Sequence, residues 1–256
     1  MRTIAVINQK GGVGKTTSTL NLAHALALAG RRVLALDMDP QGQLSDALGR
    51  GLDPAHGRGL DRVLLEGARL AEQAIEVRPR LALVPAGERL AELEYLTEGG
   101  AERGWRLAQA IAALGNGEAP FDYLLIDAPP STGLIAMNVL MAVDEVLVPV
   151  ASDYLGLHGV SRFAPVLAYI DETLGRRTAL WIAVTRFNER RRLAREVRAK
   201  LVEHFPGAVL ATAVRESAAL AECPGFGQSI FEYEPRGRGA EDYRALAEDL
   251  ELRRTI

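Results

Sequence analysis

The 256-residue chain is 48% hydrophobic and 25% charged, with 30 basic and 33 acidic side chains and a formal charge of −3. This composition closes a sizeable core and excludes both a disordered chain and one that is basic all over, while leaving room for a local basic patch. The single cysteine, Cys223, excludes an internal disulfide and a thiolate-rich cluster and reads as a buried structural thiol; His24, His56, His158 and His204 are scattered without ligand spacing and read as packing or surface residues.

In chain order the first element is a strand at Thr3–Asn8, so near the first residue that neither a signal peptide nor a DNA-reading module is expected ahead of it. It runs into Gln9-Lys10-Gly11-Gly12-Val13-Gly14-Lys15-Thr16-Thr17, and helical periodicity over Lys15–Ala29, ended by Gly30, begins at once. A strand, a glycine loop and a helix N-terminus in this order suit a phosphate: the glycines let backbone N–H groups converge, and the helix end adds about half a positive charge. Lys15 is placed to bridge β- and γ-phosphates, and the Thr16 hydroxyl to ligate Mg2+. Gln9 stands where the pattern G-x-x-x-x-G-K-[ST] has its first glycine, and Lys10 directly precedes the glycines. Only Lys10, Lys15 and Lys200 are lysines, so two of three lie in this loop, where a compact ammonium fits better than a guanidinium fork. Lys10 is too far around the turn to share Lys15's contacts and is a candidate for a phosphate held by a second subunit.

The next strand, Val33–Asp37, ends in Asp37-Met38-Asp39-Pro40-Gln41-Gly42, where Asp39 suits a residue that orients or deprotonates an attacking water beside the metal. Gly49–Asp61 reads as a mobile surface loop. A strand at Leu81–Pro85 and helices at Leu90–Leu96 and Gly104–Leu114 follow. The strand Tyr123–Asp127 then leads into Ala128-Pro129-Pro130-Ser131 and makes Asp127 the candidate carboxylate that holds Mg2+ through water. One strand-end aspartate is as readily a turn former; two beside a phosphate loop favour the metal. The remaining elements are a helix at Leu134–Ala142, a strand at Val146–Val150, a helix at Gly156–Leu174, a strand at Leu180–Thr185, a helix at Glu189–His204, a strand at Ala208–Ala211 and a helix at Glu241–Arg253. No run reaches the length of a membrane span; the most apolar, Val139–Val150, is interrupted by Asp144 and Glu145. The alternation predicts one α/β domain over residues 1–256, a doubly wound, mainly parallel sheet with helices on both faces. In the helix after Asn188, Leu193, Val197 and Leu201 form the expected buried stripe. Arg191, Arg192, Arg195 and Arg198 then lie opposite, as a phosphate-neutralising face or a solvated face paired with Glu196 and Glu203.

Four segments together resemble one family: Lys10 to Thr17, Asp37 to Gly42, Phe121-Asp122-Tyr123-Leu124-Leu125-Ile126-Asp127-Ala128-Pro129-Pro130-Ser131, and Tyr233-Glu234-Pro235-Arg236-Gly237-Arg238-Gly239-Ala240. In this order they are similar to the ParA/MinD superfamily of deviant Walker P-loop ATPases, and within it to the short, Soj-like ParA branch. The resemblance implies a cytoplasmic ATPase whose cofactors are ATP and Mg2+ and which closes as an ATP-dependent homodimer. Lys10 of each subunit would contact the other subunit's phosphates. The dimer would coat the nucleoid through non-specific DNA contacts until a ParB-like stimulator or cargo adaptor triggers hydrolysis, the cargo being a plasmid, a chromosome origin, a chemoreceptor cluster or a carboxysome. Lys10, Gly11, Gly12, Val13, Gly14, Lys15, Thr16 and Thr17 would hold the nucleotide. Thr16, Asp39 and Asp127 would serve the metal, and Asp39, Lys15 and Lys10 the hydrolysis. Arg186, Phe187, Arg215 and Glu216 are nominated for the adenine. In Arg215-Glu216-Ser217-Ala218-Ala219, before Glu222-Cys223-Pro224, a glutamate and an alanine stand where relatives often carry two DNA-contacting arginines, so Arg191, Arg192, Arg195 and Arg198 are the candidate DNA face. The ending Glu248-Asp249-Leu250-Glu251-Leu252-Arg253-Arg254-Thr255-Ile256 is too acidic to favour anionic lipid and disfavours a membrane anchor. The alternative is a metabolic P-loop ligase of the dethiobiotin or cobyrinate synthase type, whose substrate pocket the sequence does not reveal.

Overall fold

The computed structural model describes residues 1–49, 57–97, 99–115, 121–153, 165–173, 175 and 177–256. Its sheet has seven strands in the order β3-β4-β2-β5-β1-β6-β7. These are β1 (Arg2–Val6), β2 (Val33–Asp37), β3 (Ile75–Arg78), β4 (Leu81–Val84), β5 (Tyr123–Asp127), β6 (Glu145–Ala151) and β7 (Ala179–Thr185). All neighbouring pairs run parallel except β3 with β4. β2, β5 and β6 are buried along their whole length, which is why they read as nearly unbroken aliphatic runs.

Helices cover both faces. One face carries α1 (Lys15–Leu28), α2 (Gln43–Gly49), α9 (Ala218–Glu222), α10 (Ile230–Tyr233) and α11 (Arg238–Leu252). The other carries α3 (Leu60–Glu66), α4 (Leu70–Gln73), α5 (Arg106–Gly115), α6 (Leu134–Ala142), α7 (residues 165–173) and α8 (Arg192–His204). The doubly wound, mainly parallel architecture expected from the sequence is therefore the one observed. Among the described residues no helix is long and apolar enough to cross a membrane.

Several local expectations are corrected. Edge strand β3 was not anticipated: four residues, Ile-Glu-Val-Arg, with none fully buried, carry too little pattern to show. Ala208–Ala211 is not a strand; Val209 and Leu210 are buried and make only isolated bridges to Ile182 and Thr255. Leu90–Tyr95 winds as a 3-10 turn, and a second such turn, Gly100–Trp105, replaces the start of the helix expected from Gly104. Gly49 ends α2, and Leu60 and Asp61 already belong to α3, so the ends of the expected loop are ordered; residues 50–56, His56 included, lie outside the described residues. The helix expected at Gly156–Leu174 is observed only over 165–173, and His158 also falls outside. Cys223 is fully buried, and burial pushes its thiol up to about 11, as befits an inert packing residue.

Strand register places the site. Val6 pairs with Asp127, and Asp127 pairs with Asp37, so the carboxyl ends of β1, β5 and β2 form one row. In a sheet of this kind ligands bind along that edge.

Candidate nucleotide site

Beyond Val6 the chain crosses this edge as a glycine loop. Gly12 (φ 73°) and Gly14 (φ 92°) are left-handed, a conformation that strains any residue with a Cβ. Val13 is buried, and its carbonyl accepts a hydrogen bond of 2.9 Å from the Thr185 hydroxyl at the end of β7. α1 starts at Lys15 with no side-chain cap and no acidic residue in its first turn. Its N-terminal N–H groups and partial positive charge therefore face the loop's concavity.

Asp127, fully buried, receives a bond of 2.7 Å from Thr16 Oγ1 on one oxygen and of 3.1 Å from Thr19 Oγ1 on the other. Asp37 is equally buried. Its Oδ2 accepts from the Ser45 backbone N–H (2.7 Å) and hydroxyl (2.6 Å), and its Oδ1 from the Asp39 N–H (3.2 Å). Burial, first, and then the mutual repulsion of these neighbours push the Asp127 carboxyl up, against the donors Thr16 and Thr19 and the charge of Lys15. Asp37 is also raised by burial, against the Ser45 bonds. Burial lowers Lys15, and the charges of Asp127 and Asp39 oppose that shift. Asp39 itself is half-exposed and accepts from the Gln41 N–H at 3.0 Å while its carbonyl accepts from Gly42 N, forming a tight turn.

This donor set fits a nucleoside polyphosphate with Mg2+. Convergent N–H groups and a buried ammonium suit phosphate oxygens; a threonine hydroxyl beside a carboxylate suits a hard cation. Among the described residues no group of three or more His, Cys, Asp or Glu could hold a metal alone. Mg2+ keeps waters and shares phosphate oxygens, so a hydroxyl such as that of Thr16 and a carboxylate such as Asp127 suffice as its protein partners.

Lys10 occupies the outer lip. Its Nζ lies 2.8 Å from both oxygens of exposed Asp153, just beyond β6, and its N–H donates to Asn8 Oδ1 (3.0 Å). Asn8 in turn donates to the Pro149 carbonyl (2.8 Å). An added Cβ at Gly11 meets nothing within 4 Å, and its φ is not left-handed.

The four residues nominated for the adenine gather at the end of β7. Arg186 has φ 50°, and its carbonyl accepts from the Ser152 hydroxyl; Phe187 bridges to Arg215, and Glu216 N–H donates to the Phe187 carbonyl. The Arg215 guanidinium is turned onto α11, where it binds Asp242 at 2.6 Å and Glu241 at 3.1 Å. Those contacts, the Asp242 bond first, raise its pKa and commit its charge within the chain.

The arginine face of α8 is narrower than expected. The buried stripe is Ala194, Val197 and Leu201, whereas Leu193 is 44% exposed. Arg198 is not an outward residue: it packs over the Phe187 ring (5.6 Å) and donates to the Ala211 carbonyl at 2.8 Å. Arg191, Arg192 and Arg195 remain outward; Arg191 pairs with Glu216 at 3.4 Å and Arg192 with Glu196 at 2.7 Å.

Four site residues were missed in the sequence: Asp37, Thr19, Ser45 and Asp153. Only Asp37 left a signal, since a carboxylate ending a wholly apolar strand must find donors once buried.

The strand order, the loop between β1 and α1, and the carboxylate at the end of β5 define a P-loop nucleotide-binding fold. The AAA domain family matches residues 1–180. The chain is 38% identical to the chromosome-partitioning ATPase Soj of Thermus thermophilus, over 99% of this chain and 96% of that protein. It is 37% identical to the chromosome partitioning protein ParA of Myxococcus xanthus, over 99% and 89% respectively. Among solved structures, cobyrinic acid a,c-diamide synthase from Mycobacterium smegmatis with bound ATP analog and magnesium superposes with a TM-score of 0.82 at 30% identity, covering 98% of this chain and 94% of that one. The chain belongs to the ParA/MinD superfamily of P-loop ATPases, in its Soj-like branch.

Proposed function

We propose that the chain works as one P-loop domain, an ATPase that dimerises on ATP and binds DNA without sequence preference. It would partition or position a cargo, whether plasmid, chromosome or a protein organelle such as a carboxysome, in the cytoplasm on the nucleoid. A ParB-like protein or cargo adaptor stimulates its turnover. ATP and Mg2+ are its cofactors. The metal offsets phosphate charge and orients the triphosphate. Lys15 and the loop residues Gly11 to Thr17 hold the phosphates, and Thr16 and Asp127 hold the metal side. Asp39, on its tight turn, orients water with help from Asp37, which fixes the turn's entry. Arg186 and Phe187 are the better adenine candidates, because Arg215 is committed to α11 and Glu216 to Arg191.

One observation carries this reading: a single glycine loop bears two lysines in opposite settings, Lys15 buried inside and Lys10 on the lip, its ammonium paired with an exposed aspartate. A lip lysine beside an open Gly11 suits contact with phosphates in a facing subunit. The partition names of the Thermus and Myxococcus relatives support the cargo role. The test is molar mass by light scattering with ATP and Mg2+. Lys10→Ala and Gly11→Val are expected to stay folded monomers and to lose the ATP dimer; dimers formed by both variants would refute the trans role.

The Mycobacterium smegmatis structure favours a second reading, a metabolic ligase of the cobyrinate or dethiobiotin synthase type. ATP turnover raised by DNA in the absence of any metabolite speaks for the partition reading, and turnover that requires an organic acid speaks for the ligase.

A further inference from the structure

α6 begins seven residues after Asp127, and its first turn Leu-Ile-Ala-Met contains no polar side chain; no cap of its own satisfies its N-terminal N–H groups. The cap comes from elsewhere. Glu94, on the 3-10 turn Leu90–Tyr95, accepts from Leu134 N at 2.6 Å through Oε2 and from Ile135 N at 3.3 Å through Oε1. The turn is seated by Leu90 and Leu93, both fully buried in the core. Gly133 has an ordinary φ of −79°, so backbone conformation does not require glycine there, but a Cβ would collide with the Glu94 carboxylate.

We propose that Glu94 is a positioning residue for the loop between Asp127 and α6. The loop is pinned at one end by Ala128 N–H on the Val6 carbonyl (3.1 Å) and by the Asp127 bonds to Thr16 and Thr19. Glu94 pins the other end, where a carboxylate at a helix N-terminus gains both charge-assisted bonds and the favourable dipole. Between the two anchors, Pro130, Ser131 and Thr132 are exposed on the edge that carries the glycine loop. Glu94 thereby fixes how far these residues stand from the phosphate site and keeps Asp127 in register with Thr16, although it touches neither nucleotide nor metal. The catalytic part of this assignment rests on the ATPase reading above.

The test combines Glu94→Ala, Glu94→Gln, Gly133→Ala and the Glu94→Ala/Gly133→Ala double variant. In nucleotide-free protein, exchange of the Leu134 and Ile135 amides should rise about tenfold or more in Glu94→Ala, the scale of a lost charge-assisted bond, and less in Glu94→Gln, which keeps one acceptor. Turnover measured well below each variant's Tm should show kcat falling in Glu94→Ala with KM nearly unchanged, and partial recovery in Glu94→Gln. Gly133→Ala should copy Glu94→Ala, yet add no further loss in the double variant, since the carboxylate it strikes is gone. A lowered Tm with unchanged kcat and KM in every variant would reduce Glu94 to a structural cap and overturn the proposal. So would an innocuous Gly133→Ala in the wild-type background. Should Glu94→Ala fail to fold, Glu94→Gln and Gly133→Ala carry the comparison. Absence of turnover in the wild type overturns the ATPase reading and the catalytic half of the proposal with it, while the amide exchange still decides whether Glu94 anchors the loop.

Discussion

Replacing Thr19 by valine and, separately, Thr16 by alanine should split folding from nucleotide capture, because the two hydroxyls reach one carboxylate from different depths. Thr19 is fully buried, and its hydroxyl donates to Asp127 Oδ1 while lying 3.1 Å from the Lys15 carbonyl. Valine keeps the volume and removes the donor, so no cavity adds to the loss; a buried carboxylate deprived of one donor costs about 1–3 kcal/mol. Thr16 lies nearer solvent, its bond to Asp127 is only partly buried, and water replaces the lost donor, so Thr16→Ala should cost under about 1 kcal/mol of stability. The nucleotide effects reverse the order. Thr16→Ala should weaken Mg-ATP binding about tenfold or more, about 1.4 kcal/mol, with ADP binding in EDTA little changed; Thr19→Val should leave both within about threefold. Urea unfolding and isothermal titration measure the two quantities. If Thr19→Val weakened Mg-ATP binding more than Thr16→Ala did, the division of labour between the hydroxyls would be wrong.

Asp39→Ala should retain ATP affinity but slow turnover by about a hundredfold and accumulate the ATP dimer by light scattering; wild-type turnover would move the water-orienting role to another carboxylate. Changing Arg191, Arg192 and Arg195 to Glu should weaken binding to any duplex and flatten the dependence of log affinity on log salt, and an unchanged slope would make this a merely solvated face. Arg198→Glu, by contrast, should lower Tm, since it removes the packing on Phe187 and the bond to Ala211. His24 is depressed by burial, its ring 2.6 Å from the Ser229 hydroxyl, with Glu232 raising it and Arg78 lowering it. A base lowered on folding binds fewer protons than in the unfolded chain, so its stability contribution is complete above pH ~6.5 and falls by up to ~1.4 kcal/mol per pH unit below that. His24→Asn should flatten urea stability between pH 7.5 and 5.5, and an identical pH slope in the variant would assign the effect elsewhere.

The phosphate loop was readable in the sequence because its chemistry prescribes residue types at fixed spacing: left-handed positions at Gly12 and Gly14, an ammonium at Lys15 and a hydroxyl at Thr16. The partners that hold this set in place were not readable. Asp153 meets Lys10 and Glu94 meets Leu134 only after segments far apart in sequence are brought to one edge, and Ser45, though only eight residues from Asp37, meets it only through the turn between β2 and α2. The buried stripe of α8 was misplaced only at its start, because it begins at Ala194, whose small side chain is 1% exposed yet carries little hydrophobic signal. Leu193, the more apolar residue, is left in solvent. β3 escaped notice for a different reason: an edge strand of four residues, half charged, has no second face to bury.

Besides Asp127, α1 meets polar partners far along the chain. Ser18 is 3.1 Å from the Tyr243 hydroxyl, Asn21 accepts from Ile230 N, His24 contacts Ser229, and Arg2 at the foot of β1 donates to the Leu250 carbonyl. The helix that follows the glycine loop is thus separated from the segment that steadies it by 205 to 225 residues. These are contacts of high sequence separation, which close late and cost loop entropy. Until residues 229–250 have packed, Ser18 and His24 lack these partners, and the helix that must present its N-terminus to phosphate has an open flank. A chain in which residues 229–250 have not packed should therefore present this helix end less firmly and make a poor competitor for the nucleotide.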